Sequence, residues 1–308
     1  MKMKNNITLS VSTFCWMLLF LLGVIWGSSF YAVSIALKGF DPLEVVCFRV
    51  TIGAIVLIAI SFILGDGLPG FKVKERTVWL YSFGMGFFTN AAPFSLLAWA
   101  QTKISSSFAG ITMSLVPLIT LTLAHFLVRD ERLSQNKVFG LIIGFCGMLI
   151  LLDGPKIIDE ISFEENFKFK FACVCAAICY AIGSIITRRS PKKISKIAFA
   201  SSGLLMASIL ILPSTIAIEE LPDSIMFSSV AALIYLGVFS TGIATVILVY
   251  IIKTVGPTFL SLVNYLVPLW AIIFGMLFNA ESIRPMFLLA LLCIFLGMFI
   301  SRIGVKKF

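Results

Sequence analysis

Charge is what this chain has least of. Asp, Glu, Lys and Arg make up only 13% of its 308 residues, while apolar residues make up 59%. A soluble domain of this size needs far more charge to cover its surface. Histidine occurs once, as His125. One imidazole builds neither a metal site nor a catalytic triad unaided. The sequence has no Gly-x-Ser-x-Gly elbow, no His-Glu-x-x-His pair and no glycine-rich phosphate loop. An integral-membrane enzyme is thereby left without recognisable catalytic machinery, and few buried acids are available for proton transfer. A channel, the other alternative, would want rings of charge or an ordered carbonyl filter, and neither is suggested.

What the chain does have is long apolar sequence. Runs able to cross the roughly 30 Å hydrocarbon layer recur from end to end. They predict an all-α integral membrane protein with ten transmembrane helices, centred on 14–37, 43–64, 78–99, 104–127, 136–152, 169–187, 196–217, 227–252, 257–279 and 285–303. Lys2 and Lys4 before the first run look like the start of a secretory signal. The run continues through Trp26, Phe30 and Tyr31 without a small-residue cleavage site, so it reads as a retained first helix. Between the fifth and sixth spans lies an acidic, polar stretch, DGPKIIDEISFEENFK. It is too short for an extramembrane domain and reads as the join between two halves.

Basic residues orient the spans. With the N-terminus in the cytoplasm, inner segments hold 17 of the 24 Lys and Arg, outer segments hold 6, and Arg49 sits inside a span. The positive-inside rule then predicts a multi-pass cell-membrane protein with both termini cytoplasmic. The net charge of +9 follows from this bias and suits anionic lipid heads. It does not suit nucleic acid, because the basic residues are scattered over separate loops. The seven cysteines all fall in apolar spans. Cys173, Cys175 and Cys179 share one helix without a second ligand cluster, so they read as small apolar residues. No metal, cofactor or disulfide framework is implied.

The chain also repeats itself. LVPLITLTLAHFLVRDE at 115–131 has an echo, LVPLWAIIFGMLFNAE, at 266–281. Pro117 and Pro268 lie 151 apart, Glu131 and Glu281 lie 150 apart, and FCGMLI at 145–150 answers FLGMFI at 295–300. Asn90 answers Thr241, and Trp99 answers Tyr250. Five spans per half is an odd number, so the second copy enters the membrane from the opposite side. Inverted repeats supply two nearly equal conformations, one open to each face. Prolines inside helices 4 and 9 fit such a machine, since each frees a backbone carbonyl; the alternative is a static kink.

With WGSSF at 26–30, Pro42 followed seven residues later by Arg49, and the paired Pro…Glu…Gly helices, the chain resembles the drug/metabolite transporter superfamily, EamA type. The resemblance implies residues 1–153 as a first EamA-like five-helix repeat, 154–168 as the acidic outer connecting loop, and 169–308 as the second repeat. It implies a carrier whose central cavity opens alternately to two sides. The solute would be a small polar or amphipathic metabolite, such as an amino acid or a related compound. The lipid bilayer is the other partner, and a second copy of the chain is a candidate one. The second half departs from the first: YAIGS at 180–184 is a weak counterpart of WGSSF, and Ser201 stands about where a second Arg49 would fall.

Ionisable groups inside the spans are few enough to weigh singly. Placing an arginine at mid-span costs at least about 2.5–3.5 kcal/mol on insertion scales, so Arg49 needs a partner or a wet cavity. Either it attracts a carboxylate or phosphate on the solute, or it clamps polar groups of neighbouring helices. Glu44 lies five residues before it, about 140° around the helix, so the two make a poor pair. Glu44 and His125 are the candidates for proton coupling, against an interfacial role for each. Glu131 and Glu281 close helices 4 and 9 and should cap the helices that follow, or gate. The solute site is sought in Trp26, Ser29 and Phe30 of helix 1, Asn90 of helix 3, Ser114 of helix 4, Tyr180 of helix 6, Thr241 of helix 8, and Asn264 and Tyr265 of helix 9. The competing role for each polar member is a helix-to-helix hydrogen bond.

Overall fold

The computed structural model describes residues 3–65, 67–72, 75–101, 103, 112–151, 167–213, 226–279 and 286–301. Regular structure among the described residues is helical throughout. In chain order the helices are α1 (Met3–Ala36), α2 (Pro42–Leu64), α3 (Arg76–Gly86), α4 (Ala92–Gln101), α5 (Val116–Leu127), α6 (Gln135–Leu151), α7 (Phe167–Arg189), α8 (Lys196–Ile211), α9 (Phe227–Tyr235), α10 (Ala244–Thr254), α11 (Pro257–Ser261), α12 (Val263–Asn279) and α13 (Met286–Ile300). Four stretches, Thr13–Val33, Pro42–Leu64, Phe167–Arg189 and Phe227–Thr254, are by length and composition apolar enough to cross a membrane. Large apolar side chains such as Met17, Ile55, Phe62, Ile63, Leu80 and Phe126 point outward and are more than half exposed. So much outward apolar surface suits hydrocarbon as the solvent.

Two helix pairs are continuous through a widened turn. A π-helical segment, Phe87–Ala91, joins α3 to α4, and another, Leu236–Ile243, joins α9 to α10. In each the backbone N–H reaches five residues back: Ala92 donates to the Phe87 carbonyl and Ala244 to the Phe239 carbonyl. The local causes differ. In the first, Pro93 lacks an N–H and its ring crowds the carbonyl four residues earlier, which opens the turn. The second has no proline, but Gly237 and Gly242 relax the chain there. Single-turn π-bulges tend to mark functional sites. Asn90 and Thr241 each sit in one.

In hydrocarbon, apolar side chains gain little by leaving lipid, so helices associate where small residues let backbones approach. Gly53 of α2 rides on the second π segment, where a Cβ would stand 3.0 Å from the Gly237 carbonyl oxygen and 3.1 Å from Thr241 Cγ2. Gly86 of α3 packs on α8 against the Gly203 carbonyl and the Ala207 backbone. The partners exchange roles between the two crossings: Gly53 and Gly203 are 150 apart, Gly86 and Gly237 are 151 apart. Hydroxyls reinforce the same faces, with Ser201 Oγ donating to the Leu57 carbonyl at 2.8 Å and Ser82 and Ser202 bonded at 2.7 Å. Gly140, Gly144 and Gly147 of α6 seat that helix on α13 and on Tyr265. Gly23 brings α1 onto Leu266 and Trp270 of α12.

The two prolines of the repeat are not placed alike. Pro268 lies inside α12, but Pro117 stands in the first turn of α5, just after a turn at Ser114 and Leu115. A missing N–H costs little in a first turn, because that group has no helical acceptor anyway. The expectation of a proline inside both helices is corrected for Pro117.

Candidate functional site

Arg49 is the centre of the polar interior. It lies in the third turn of α2, about 10 Å from the helix start, and is 9% exposed. Its Nε donates to Thr241 Oγ1 at 3.1 Å across 192 residues of sequence. Phe94 of α4 lies over the guanidinium with its ring centroid 4.3 Å away. Tyr180 of α7 meets Phe94 edge-on, centroids 6.5 Å apart. One arginine is therefore touched by side chains from both π-joined helix pairs, and α7 packs on the ring that covers it. Among the described residues no carboxylate pairs with it and neither Nη has a hydrogen-bond partner.

Other predicted positions gather around this point to different degrees. Trp26 donates from Nε1 to the Ser240 carbonyl at 3.2 Å, which ties α1 to the second π segment one residue from Thr241. Ser29 Oγ turns back to the Trp26 carbonyl at 2.6 Å. Both are partly exposed. Asn90 and Thr89, in the first π segment, are buried; Asn90 Nδ2 and Thr89 Oγ1 have no partner among the described residues. Their neighbour Ala91 packs in one cluster with Val46 and Val50 of α2 and Phe94. Asn264 Nδ2 donates to the Ser261 carbonyl at 3.0 Å, spanning the break between α11 and α12. Pro268 leaves the Asn264 carbonyl without its helical donor. Ser114 is buried in the turn before α5. The side chain of Phe30 and all of Glu281 lie outside the described residues.

Three predicted residues are placed elsewhere. Tyr265 is fully buried, and its hydroxyl donates to the Leu141 carbonyl of α6 at 2.9 Å while the ring packs on Gly144. In this conformation its hydroxyl makes the helix-to-helix hydrogen bond that was the competing role for it. Glu44 accepts the Asp41 backbone N–H at 2.7 Å, closing the first turn of α2. His125 Nδ1 accepts the Leu133 backbone N–H at 3.2 Å, at the rim where α5 ends. Neither Glu44 nor His125 touches Arg49.

Glu131 does not cap the next helix. That task falls to Ser134, whose Oγ accepts the Lys137 backbone N–H at 3.3 Å. Glu131 instead takes Lys137 Nζ at 2.9 Å and presses its carboxylate on Gly256, at the corner between α10 and α11. Around this corner the helix ends lock together. Arg188 Nη1 donates to the Ile252 and Lys253 carbonyls at 2.9 and 2.8 Å, covering acceptors that the last turn of α10 leaves free. Lys196 Nζ sits 3.8 Å over the Tyr250 ring, and Lys253 Nζ 4.5 Å over the Phe199 ring, so α8 and α10 exchange cations. Arg188 Nη2 lies 3.7 Å from Asp130 Oδ2. Asp130 is more than half exposed, and such a pair contributes little.

Sequence reasoning missed the glycine crossings and the pairing of Ser28 with Tyr235 at 2.5 Å. The 150-residue offset was the available signal for the glycines. Nothing marks Ser28 and Tyr235 as neighbours before the chain is folded. Among the described residues no group of three His, Cys, Asp or Glu could hold a metal; Cys173 is buried between Ala100 and Phe169.

The chain has relatives among known proteins. The profile of the EamA-like transporter family matches the chain twice, over residues 13–153 and 169–303. The uncharacterized transporter YoaV of Bacillus subtilis (strain 168) is 24% identical over 92% of this chain and 95% of its own. The uncharacterized inner membrane transporter YedA of Escherichia coli (strain K12) is 25% identical over 94% and 91%. Protein PecM of Dickeya dadantii (strain 3937) is 24% identical over 90% and 89%. A crystal structure with 20% sequence identity superposes with a TM-score of 0.75 over 95% of this chain and 99% of its own. That likeness shows the fold. Relatives over nearly full length are named transporters, and the outward apolar helices are those of a multi-pass membrane protein. The chain belongs to the EamA-like transporter family.

Proposed function

We propose that this transporter is an alternating-access carrier for a small polar or amphipathic metabolite, built from two inverted five-helix repeats with both termini in the cytoplasm. The observation that carries the reading is the exchange of crossings. Gly53 of the first half packs on the π segment of the second, and Gly203 of the second packs where the first half's π segment begins. Two halves that grip each other through equivalent parts can trade conformations, and the trade converts one open side into the other.

The distribution of contacts supports the same reading. At the basic end, the Glu131 carboxylate seats on Gly256, so the segment after α5 of one half meets the corner between α10 and α11 of the other. Around Arg49, by contrast, Trp26, Ser29, Phe94 and Tyr180 keep part of their surface free. On this reading the contacts gather at the basic end, and the aromatic and hydrogen-bonding groups around Arg49 serve the solute. The positive-inside count puts the basic end in the cytoplasm, and the name of YedA supports a cell-membrane location.

The test is transport by purified protein in liposomes, with solutes chosen by a thermal-shift screen of a metabolite panel. Uptake should saturate and should accelerate when the same solute fills the far side. Linear flux without such counterflow would make the protein a pore and end the carrier reading. Trp26→Ala and Asn264→Ala should weaken transport while expression stays near normal.

A further inference from the structure

We infer that the central site takes a solute bearing an oxyanion, a carboxylate or a phosphate, and that Arg49 grips it through its two terminal nitrogens. The inference rests on the carrier reading for the premise that a solute enters the site at all.

A guanidinium offers five N–H donors and two faces. In Arg49 the Nε–H is used by Thr241 at 3.1 Å, and one face is covered by Phe94 at 4.3 Å. The four N–H groups on Nη1 and Nη2 have no acceptor among the described residues. The chain itself shows what a clamping arginine looks like. Arg188 spends Nη1 on two backbone carbonyls at 2.9 and 2.8 Å and turns Nη2 to Asp130. Arg49 does nothing of the kind. Thr241 and Phe94 hold its orientation and leave its fork open.

Charge balance points the same way. Glu44, the acid on the same helix, is engaged with the Asp41 N–H at 2.7 Å. Arg49 is thus a buried cation with no counter-charge among the described residues, in an interior that screens charge less than water does. An entering cation is repelled there, and an entering anion is attracted. The parallel N–H bonds of a guanidinium fork match the two oxygens of a carboxylate or phosphate, which a lysine in the same place could not do. Phe94, Tyr180 and Trp26 supply aromatic surface for an apolar group beside the anion.

The experiment compares four probes of one shape on the full chain in lipid nanodiscs: phenylacetate, phenyl phosphate, phenylacetamide and phenethylamine. Calorimetry should show at least one of the two anions binding about tenfold tighter than the amide, with the amine weakest. Which anion leads separates a carboxylate solute from a phosphate one. Arg49→Gln should bring anions and amide to equal affinity, and Arg49→Lys should keep the preference in weakened form. If Arg49→Gln does not fold, the comparison on the unaltered protein decides alone. Amide or amine binding as tightly as the anions overturns the inference. So does binding of none of the four by protein whose counterflow with another solute is intact. Both results leave the carrier reading standing, whereas absence of counterflow for every solute removes that reading itself.

Discussion

The carboxylate of Glu131 occupies the place where a side chain at position 256 would stand. Gly256 has φ +122°, a conformation that L side chains rarely adopt, and Pro257 follows at once to begin α11. Backbone conformation therefore requires glycine, and a Cβ there would also push the Glu131 carboxylate aside. Because Glu131 belongs to the first half and Gly256 to the second, this one close approach is also a contact between the halves.

Gly256→Ala should lower stability by about 1–3 kcal/mol, the usual cost of a strained backbone position. Thermal unfolding in detergent measures it. Part of that loss should return in the double variant with Glu131→Ala, which removes the clash but not the strain. Strict additivity in the double-mutant cycle would show that the two residues do not meet.

Thr241→Val keeps the shape of the side chain and removes the acceptor from Arg49. Leaving the buried Nε–H unsatisfied should cost about 1–3 kcal/mol. Thr241→Ser, which keeps the hydroxyl, should stay near the parent protein. Equal stability of the two variants would disprove the Arg49–Thr241 bond.

Tyr265→Phe deletes a hydroxyl that bonds the Leu141 carbonyl at 2.9 Å. Stability should fall by about 0.5–1.5 kcal/mol, while the half-saturation concentration for transport stays unchanged. A change in that concentration with no loss of stability would return Tyr265 to the solute site.

Topology is tested by single cysteines placed at Lys72, Lys103 and Arg132, which are exposed, in a chain stripped of its own seven. A membrane-impermeant maleimide added to intact cells should label position 103 only. Positions 72 and 132 should react after permeabilisation. Labelling of 103 and 132 from one side would remove the span between them, and with it the odd count per half on which the proposed inversion rests.

A good part of this was legible before folding. Arg49 stood out because a charge at mid-span is costly, and the offset between the halves was visible because duplicated residues keep their spacing. The side chains of the site were less legible. Asn, Ser, Thr and Tyr in a membrane helix can face a solute or another helix, and helical periodicity does not distinguish the two. Tyr265 was placed with the solute, and its hydroxyl bonds the Leu141 carbonyl of another helix. Glu131 was read as a cap, but the nearer Ser134 took the N–H and left the glutamate free for Lys137 and Gly256.

By itself the sequence determined the solvent this protein lives in, its helical class and the doubling of its plan. Those follow from composition and local spacing, which act along the chain. Tertiary structure alone decided that Arg49 meets Thr241 192 residues away and finds no partner for its fork among the described residues, and that glycines at a shared offset carry the crossings. Such contacts join residues distant in sequence, and their geometry exists only once the backbones have approached.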